Sequence, residues 1–288
     1  MERPTLSRPT WLARRAAHEA RVDGLVAPHL ARRRTGTRHP VEDFLFTYYS
    51  HRPAQLRRWH PGYGVVLASA PEYASVRGYR PVAGGLSLAP SELLSRRESL
   101  SFVRSVLAGT LSRPAQFGCL GLHEWAMVYR QSASDVRHDA YPLRLGSSGT
   151  DAVVESHRMR CSHFDAYRFF TEPARPLNAL SPSRASQAVL EQGGCLHANM
   201  DLYKWAYKLT PLVPSELVAD CFELAREIRV LDMRASPYDL SALGYEPVRI
   251  ETPDGKAEYA SAQRSFASRA EPLRRRLLDQ VEALLDAA

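Results

Sequence analysis

The chain has 288 residues, enough for one large domain or two small ones with a substantial core. Hydrophobic residues make up 44% and charged residues 24% of the composition, which is ordinary for globular proteins and excludes extensive disorder. No segment approaches the roughly 20 consecutive apolar residues of a membrane-spanning helix. The formal net charge of +7 favours a polyanion, such as a nucleic acid or a phosphorylated small molecule, as a partner.

The N-terminus and the cysteines indicate where the protein works. Residues 1–21 carry five arginines with no apolar run after them, so they do not form a secretory signal. The four cysteines are far apart and form no C-x-x-C pair, which makes a disulfide scaffold implausible. We therefore expect a cytoplasmic protein that does not associate with membranes.

The N-terminal third combines a basic helix with a buried one. Apolar residues recur at helical spacing from Thr10 to about Val26, and Pro28 follows. A second helix is predicted to begin at Pro40, since proline suits a first helical position. We predict two parts of the chain: residues 1–37 as a basic N-terminal helix and linker, and residues 38–288 as a single, mainly helical, catalytic-type domain.

The remaining elements are mostly helices, with two short β features. Helices are predicted over about 91–111, 117–131, 197–209 and 215–233 and near the C-terminus. Residues 153–170 are rich in β-forming types, and a strand there would place His157, Cys161, His163 and Asp165 on one face. Pro253-Asp254-Gly255 is typical of a hairpin turn. The fold class is thus mainly α (α+β): one helical globular domain with a small β element and a C-terminal hairpin.

Three of the four cysteines lie close to a histidine in the chain. Cys119 precedes His123 by four residues, and Cys161 and Cys195 precede a histidine by two. Histidine and cysteine are both zinc ligands, and histidines with a carboxylate suit a non-haem iron site. The alternative is that buried cysteines act as small apolar side chains beside hydrogen-bonded core histidines.

Two further segments are candidates for a site. In the predicted helix from His197, the residues His197, Asp201, Lys204 and Lys208 share one stripe, and the other faces are apolar and aromatic. That stripe faces either solvent or an internal cleft. Asp232 and Arg234 lie where the strongest helix ends, a position that is typical of an ion-pair network as well as of a binding site.

Several segments together resemble a bacterial family, frequent in actinobacteria, that usually carries the name 3-methyladenine DNA glycosylase. The resemblance covers about residue 38 to the C-terminal helix. The segments that carry it are HPVEDFLF from His39, RRWHPG from Arg57, LHEWAMVYR from Leu122, RCSHFD from Arg160, HANMDLYKW from His197 and DMRASPYD from Asp232.

The resemblance implies a DNA repair enzyme that hydrolyses the N-glycosidic bond of alkylated purines and needs no cofactor. A flipped, cationic base would stack on aromatic rings, and a carboxylate would position water or stabilise the sugar cation. The arginine-rich N-terminal region would contact DNA phosphates. The expected catalytic residues are Asp201, Glu124 and His197, and the expected substrate-binding residues are Trp125, Tyr203, Trp205, Lys204, Asp232 and Arg234.

Two other hypotheses remain open from the residues alone. One is a Zn or Fe enzyme acting on a small molecule, with metal ligands drawn from His123, His163, Asp165 and His197 and with Asp201 or Glu124 as further carboxylates. The other is a helical protein that binds nucleic acid without turnover.

Overall fold

The structure, a computed structural model, describes residues 3–131 and 140–288. It divides into two compact units, which we describe separately. The first unit comprises Met1–Ser105, Leu202–Glu223 and Leu273–Ala288, and the second comprises Val106–Asp201 and Leu224–Pro272. Within the described ranges, no helix combines the length and the apolar composition that crossing a bilayer requires. The expected domain boundary at residue 37 stays a prediction.

The described chain is mainly helical, as predicted. The N-terminal part of the chain contains five helices: α1 (Arg8–Arg34), α2 (Phe44–Tyr48), α3 (Pro53–Arg57), α4 (Pro90–Leu94) and α5 (Arg97–Ser112). Four short helices belong to the second unit: α6 (Leu122–Ala126), α7 (Gly146–Glu155), α8 (Phe164–Tyr167) and α9 (Gln187–Leu190). Three long helices follow: α10 (Leu196–Lys208), α11 (Ser215–Arg234) and α12 (Pro253–Asp286).

The basic N-terminal helix is a structural part of the first unit. Ser7 caps α1 by accepting a hydrogen bond from the backbone N–H of Thr10, and the helix continues through Pro28 to Arg34, beyond its predicted end. Trp11 is fully buried and donates its indole N–H to the carbonyl of Ala68 at 2.9 Å. Its ring belongs to a core cluster with Trp59, Leu67, Ala70 and Tyr73.

The small sheet also lies in the first unit. Its strands are β1 (Thr5–Leu6), β2 (Val66–Leu67), β3 (Tyr79–Val82) and β4 (Gly85–Leu88), in the order β1-β2-β4-β3. β1 pairs parallel with β2, and the other pairs are antiparallel. The register of the β3–β4 hairpin places Arg80 opposite Ser87.

The predicted strand between residues 150 and 170 is wrong. That stretch contains the end of α7 and the short helix α8, and Val153 and Val154 are buried on α7. Burial of β-branched side chains outweighs their modest preference for strands when a helix offers them a core. His157, Cys161, His163 and Asp165 therefore do not line the face of a strand.

The predicted C-terminal hairpin is also wrong, because Pro253-Asp254-Gly255 opens α12. Thr252 accepts a hydrogen bond from the N–H of Gly255 at 3.1 Å, Pro253 occupies the first turn, and Asp254 suits the positive end of the helix dipole. A Cβ at residue 255 would lie 1.9 Å from the carbonyl oxygen of Arg249, so this close approach of two backbone segments requires glycine. The same residue types therefore serve a helix start.

Candidate metal centre

Buried histidines and carboxylates from five segments of the second unit lie close together. α6 contributes His123 and Glu124, the first turns of α10 contribute His197 and Asp201, and the last turns of α11 contribute Arg229 and Asp232; His163 precedes α8 and Glu191 follows α9. Gly121 precedes α6 with a φ of 71°, a left-handed conformation that glycine adopts without strain. This sharp entry directs the first turn of α6 into the core.

Two sets of three side chains have metal-binding geometry. The first group is His123, His197 and Asp232, and the second group is His163, Glu191 and Asp201. In each group, one ligand atom per residue lies within 4.8 Å of the others. Ligand atoms around an ion at about 2.1 Å are roughly 3.0–3.4 Å apart when adjacent, so either group could hold a metal ion after small side-chain shifts.

The first group contains buried polar atoms that lack hydrogen bonds. Nε2 of His123 lies 2.9 Å from Oδ1 of Asp232, but the contact lacks hydrogen-bond geometry, and both atoms are buried without another hydrogen-bond partner. Nδ1 of His123 also lacks a hydrogen bond of good geometry, although interaction with the Cys119 side chain contributes to the raised pKa of this histidine. A buried polar atom without a partner costs about 1–3 kcal/mol. A cation between the imidazole and the carboxylate would remove part of that cost.

The electrostatics of the first group also favour a cation. Burial alone would lower the pKa of His123, but the carboxylate of Asp232 outweighs burial and raises it to about 10. Burial opposes ionisation of Asp232, and the charge of His123 overcomes it and holds the pKa of Asp232 well below its usual range. A metal-free protein would therefore hold a proton on His123 at neutral pH. A metal ion would replace that proton.

Arg229 holds the two carboxylates beside His123. Its Nη1 atom donates to Oδ2 of Asp232 at 2.7 Å and to Oε1 of Glu124 at 3.0 Å. Oε1 of Glu124 lies 3.9 Å from Nε2 of His123. With neutral imidazoles, the charges of Arg229, Glu124 and Asp232 sum to −1. A proton on His123 or a metal ion would balance this charge.

The second group is hydrogen-bonded within the protein. Nδ1 of His163 accepts the backbone N–H of Ala166 at 3.3 Å, so the proton of the neutral imidazole sits on Nε2. Nε2 lies 3.0 Å from Oδ2 of Asp201 and 3.4 Å from Oε1 of Glu191. Gln187 donates to Oε1 of Glu191 at 2.6 Å. If Nε2 bound a metal, the proton of the imidazole would sit on Nδ1. That N–H would then face the backbone N–H of Ala166, and the hydrogen bond between them would be lost.

His197 lies between the two groups. Its ring centroid is 4.3 Å from that of His123 and 5.4 Å from that of His163. Burial, followed by the charge of His123, lowers the pKa of His197 well below its usual value, so this imidazole is neutral and able to bind a metal. It is half-buried, whereas His123 and Asp232 are buried.

The structure thus brings together His123, His163, His197, Asp201, Glu124 and Asp232, and leaves other predicted ligands outside. Asp165 belongs to neither group and lies 3.4 Å from Arg168. Among the described residues, no cysteine belongs to either group. Burial raises the pKa of the Cys161 and Cys195 thiols, which disfavours the thiolate form that binds metals. These two cysteines behave as small apolar core residues.

The residues expected to bind an alkylated base are mostly buried. In the second unit, Trp125 is fully buried and donates its indole N–H to the carbonyl of Ala235 at 2.9 Å, and Arg234 bonds the carbonyl of Glu246 and lies 3.2 Å from Glu258. In the first unit, Tyr203 is fully buried and Trp205 is 6% exposed, with the Lys204 ammonium 4.3 Å from its ring centroid. Neither tryptophan presents an open face for stacking.

Much of the charge of the N-terminal arginines is neutralised within the first unit. Arg14 lies 2.8 Å from Glu216, Arg21 pairs with Asp220 and Glu223, and Arg32 pairs with Asp43 at 2.6 Å. The hydrogen bond to Glu223 outweighs the desolvation of the Arg21 guanidinium and raises its pKa. These arginines stabilise the attachment of α1, which leaves fewer of them for DNA phosphates.

Glu191 is not singled out from the sequence, and Arg229 is only the first residue of a candidate segment, residues 229–239, without a role of its own. Glu191 lies in a segment without helical periodicity, and its partner Gln187 four positions earlier is a weak signal. Arg229 lies at i−3 from Asp232, a spacing that predicts an ion pair on a helix. No protein-family model, no curated protein and no solved structure matches the chain.

Proposed function

We propose that this protein is a metal-dependent enzyme that acts on a small molecule, with one divalent ion bound by His123, His197 and Asp232. The observation that carries the proposal is the convergence of two imidazoles and one carboxylate on one point, with buried atoms of His123 and Asp232 lacking hydrogen bonds. Two nitrogens and one oxygen from protein suit Zn²⁺ or Fe²⁺ and leave coordination positions open. A metal with open positions activates water or dioxygen.

The surrounding side chains have supporting roles. Arg229 orients Asp232 and Glu124 through its two hydrogen bonds, as outer residues do at metal sites. Glu124 is a carboxylate close to His123 and is a candidate for holding a proton of a bound ligand. Because His123 is 2% and Asp232 0% exposed, a rigid duplex could not contact these two side chains directly.

Metal content tests the proposal directly. Protein purified without added metal is expected to hold about one equivalent of zinc or iron by elemental analysis, since such sites retain their ion. His197→Gln should lose the metal without leaving a buried charge unpaired. His157→Gln is the matched control, because His157 is a histidine of the second unit that belongs to neither group. Less than about 0.2 equivalents in the folded wild type would overturn the proposal.

The glycosylase hypothesis stays a prediction, and a base-release assay distinguishes it from the metal-enzyme proposal. It predicts release of free 3-methyladenine from alkylated duplex DNA, with loss of release in Asp201→Asn. Release that persists after the metal is removed by chelation would favour the glycosylase over the metal enzyme. The metal proposal predicts that the chelated protein does not release the base.

A further inference from the structure

The first unit contains a cavity that has no part in the metal centre. Its volume is about 590 Å³, within the range of roughly 300–1,000 Å³ that is usual for small-molecule sites. The walls come from the segments around His51, His60, Arg77, Arg96 and Tyr207. All of these residues belong to the first unit.

The charged groups that line the cavity have a net positive charge. Arg96 donates to the carbonyl of Thr210 at 2.5 Å and lies 3.8 Å from Glu92, so these two side chains offset each other. The guanidinium groups of Arg58 and Arg77 form no hydrogen bond or ion pair within the described ranges. Arg14, Arg21 and Arg57 of the same unit are instead paired with carboxylates. Two positive charges therefore remain beside the cavity.

Two buried histidines add flat, uncharged walls. The His51 ring stacks on Tyr207 with centroids 4.8 Å apart and planes at 19°, and the His60 ring stacks on Tyr79 at 5.9 Å and 21°. Burial lowers the pKa of both imidazoles to about 4, with the charge of Arg58 adding to the effect on His60. Both rings are neutral at pH 7 and add no charge to the two unpaired arginines, Arg58 and Arg77.

We infer that this cavity binds a small phosphate monoester with an aromatic group. Two unpaired guanidinium groups match a dianion, and arginine binds phosphate oxygens through paired N–H donors. The rings of His51, His60 and Tyr207, which line the cavity, supply flat walls for the organic part of the ligand. The inference is independent of the metal centre, which lies in the other unit.

Phenyl phosphate is the probe, measured by calorimetry on the full chain after chelation, so that no metal ion takes part. Wild-type protein is expected to bind it with a Kd on the order of 1 mM or tighter. Benzoate, a monoanion of similar shape, should bind at least about tenfold more weakly because it satisfies one guanidinium only. Absence of phenyl phosphate binding, or equal affinity for benzoate, would overturn the inference.

Matched variants locate the site. The double variant Arg58→Gln/Arg77→Gln should weaken phenyl phosphate binding at least about tenfold, and Glu92→Gln should tighten it several-fold by removing the one lining carboxylate. The control Arg33→Gln/Arg34→Gln removes two exposed arginines of α1 that lie outside the cavity, and it should change Kd less than about twofold. Equal weakening in both double variants would mean non-specific attraction and would sink the inference.

Discussion

Buried His123 of the second unit and buried His51 and His60 of the first unit hold opposite charge states. In the second unit, the carboxylate of Asp232 outweighs burial and raises the pKa of His123 to about 10. In the first unit, burial lowers the pKa of His51 and His60 to about 4, and tyrosine rings lie against both. Burial is common to all three residues, so the neighbouring side chains decide the charge. The carboxylate-rich region suits a cation, and the arginine-lined region suits an anion.

The second His/carboxylate group sharpens the comparison, because its hydrogen bonds are made without a metal. His163→Leu should lower the free energy of unfolding of the metal-free protein by about 3–5 kcal/mol, since two buried carboxylates lose their imidazole donor. Urea unfolding measures this. His157→Leu, which loses one bond to the carbonyl of Val153, should cost about 1 kcal/mol. A loss below about 1 kcal/mol for His163→Leu would contradict the assignment.

Substitution of one buried aspartate in each group shows which group binds zinc. Asp232→Asn should weaken zinc binding more than about 100-fold, because the variant loses a ligand, whereas Asp201→Asn should change it less than about tenfold. Titration of metal-free protein with zinc in competition with a chelator measures both constants. Equal losses, or two equivalents of bound zinc, would show that the second group also binds metal.

The pH dependence of stability tests the neutral histidines of the first unit. The pKa of folded His51 lies near 4 and that of an unfolded histidine near 6.5, so protonation favours the unfolded state as pH falls from 6.5 to 4. Between pH 7 and pH 5, His51 should remove about 2 kcal/mol of stability. The difference in unfolding free energy between wild type and His51→Gln isolates this contribution. A difference that does not change with pH would show that His51 titrates normally.

The smallest expected effect concerns the hydroxyl of Tyr79. It lies 3.1 Å from Nδ1 of His60, a residue that lines the cavity, and Tyr79→Phe should lower stability by about 1 kcal/mol. Tyr73→Phe is the companion variant, because the Tyr73 hydroxyl donates to the carbonyl of Trp59 at 2.8 Å. If only Tyr73→Phe is destabilising, His60 does not depend on the Tyr79 hydroxyl.

Much of the helical content could be predicted from local signals. The apolar seam of α11, its start at Ser215 and the stripe of α10 are visible in the residues themselves, because helix periodicity and caps act over a few positions. The predictions of a strand at 150–170 and a hairpin at 253–255 were wrong because local signals at both places fit two structures. Val153 and Val154 suit a strand or a buried helix face, and Thr-Pro-Asp-Gly suits a turn or a helix start. Packing against the core selected the helix at both places.

The candidate site was only partly visible in the sequence. His197 and Asp201 share one helix face at a spacing of four, and the structure brings the side chains of His123, His163, His197 and Asp201 close together in two adjoining groups. The partner Glu191 was missed, and Arg229 was recognised only as the start of a candidate segment, residues 229–239. Asp232 was expected to bind substrate, and the structure places it beside His123.

The amino-acid order alone determined a mainly helical chain with histidines close to its carboxylates, because propensity, capping and periodicity depend on near neighbours. The tertiary structure alone decided which carboxylate meets which imidazole. Asp232 lies 2.9 Å from His123 across more than one hundred residues of chain, and Asp201 lies 3.0 Å from His163. Electrostatic interaction and hydrogen bonding depend on distance in space, so the charge of each buried histidine follows from packing.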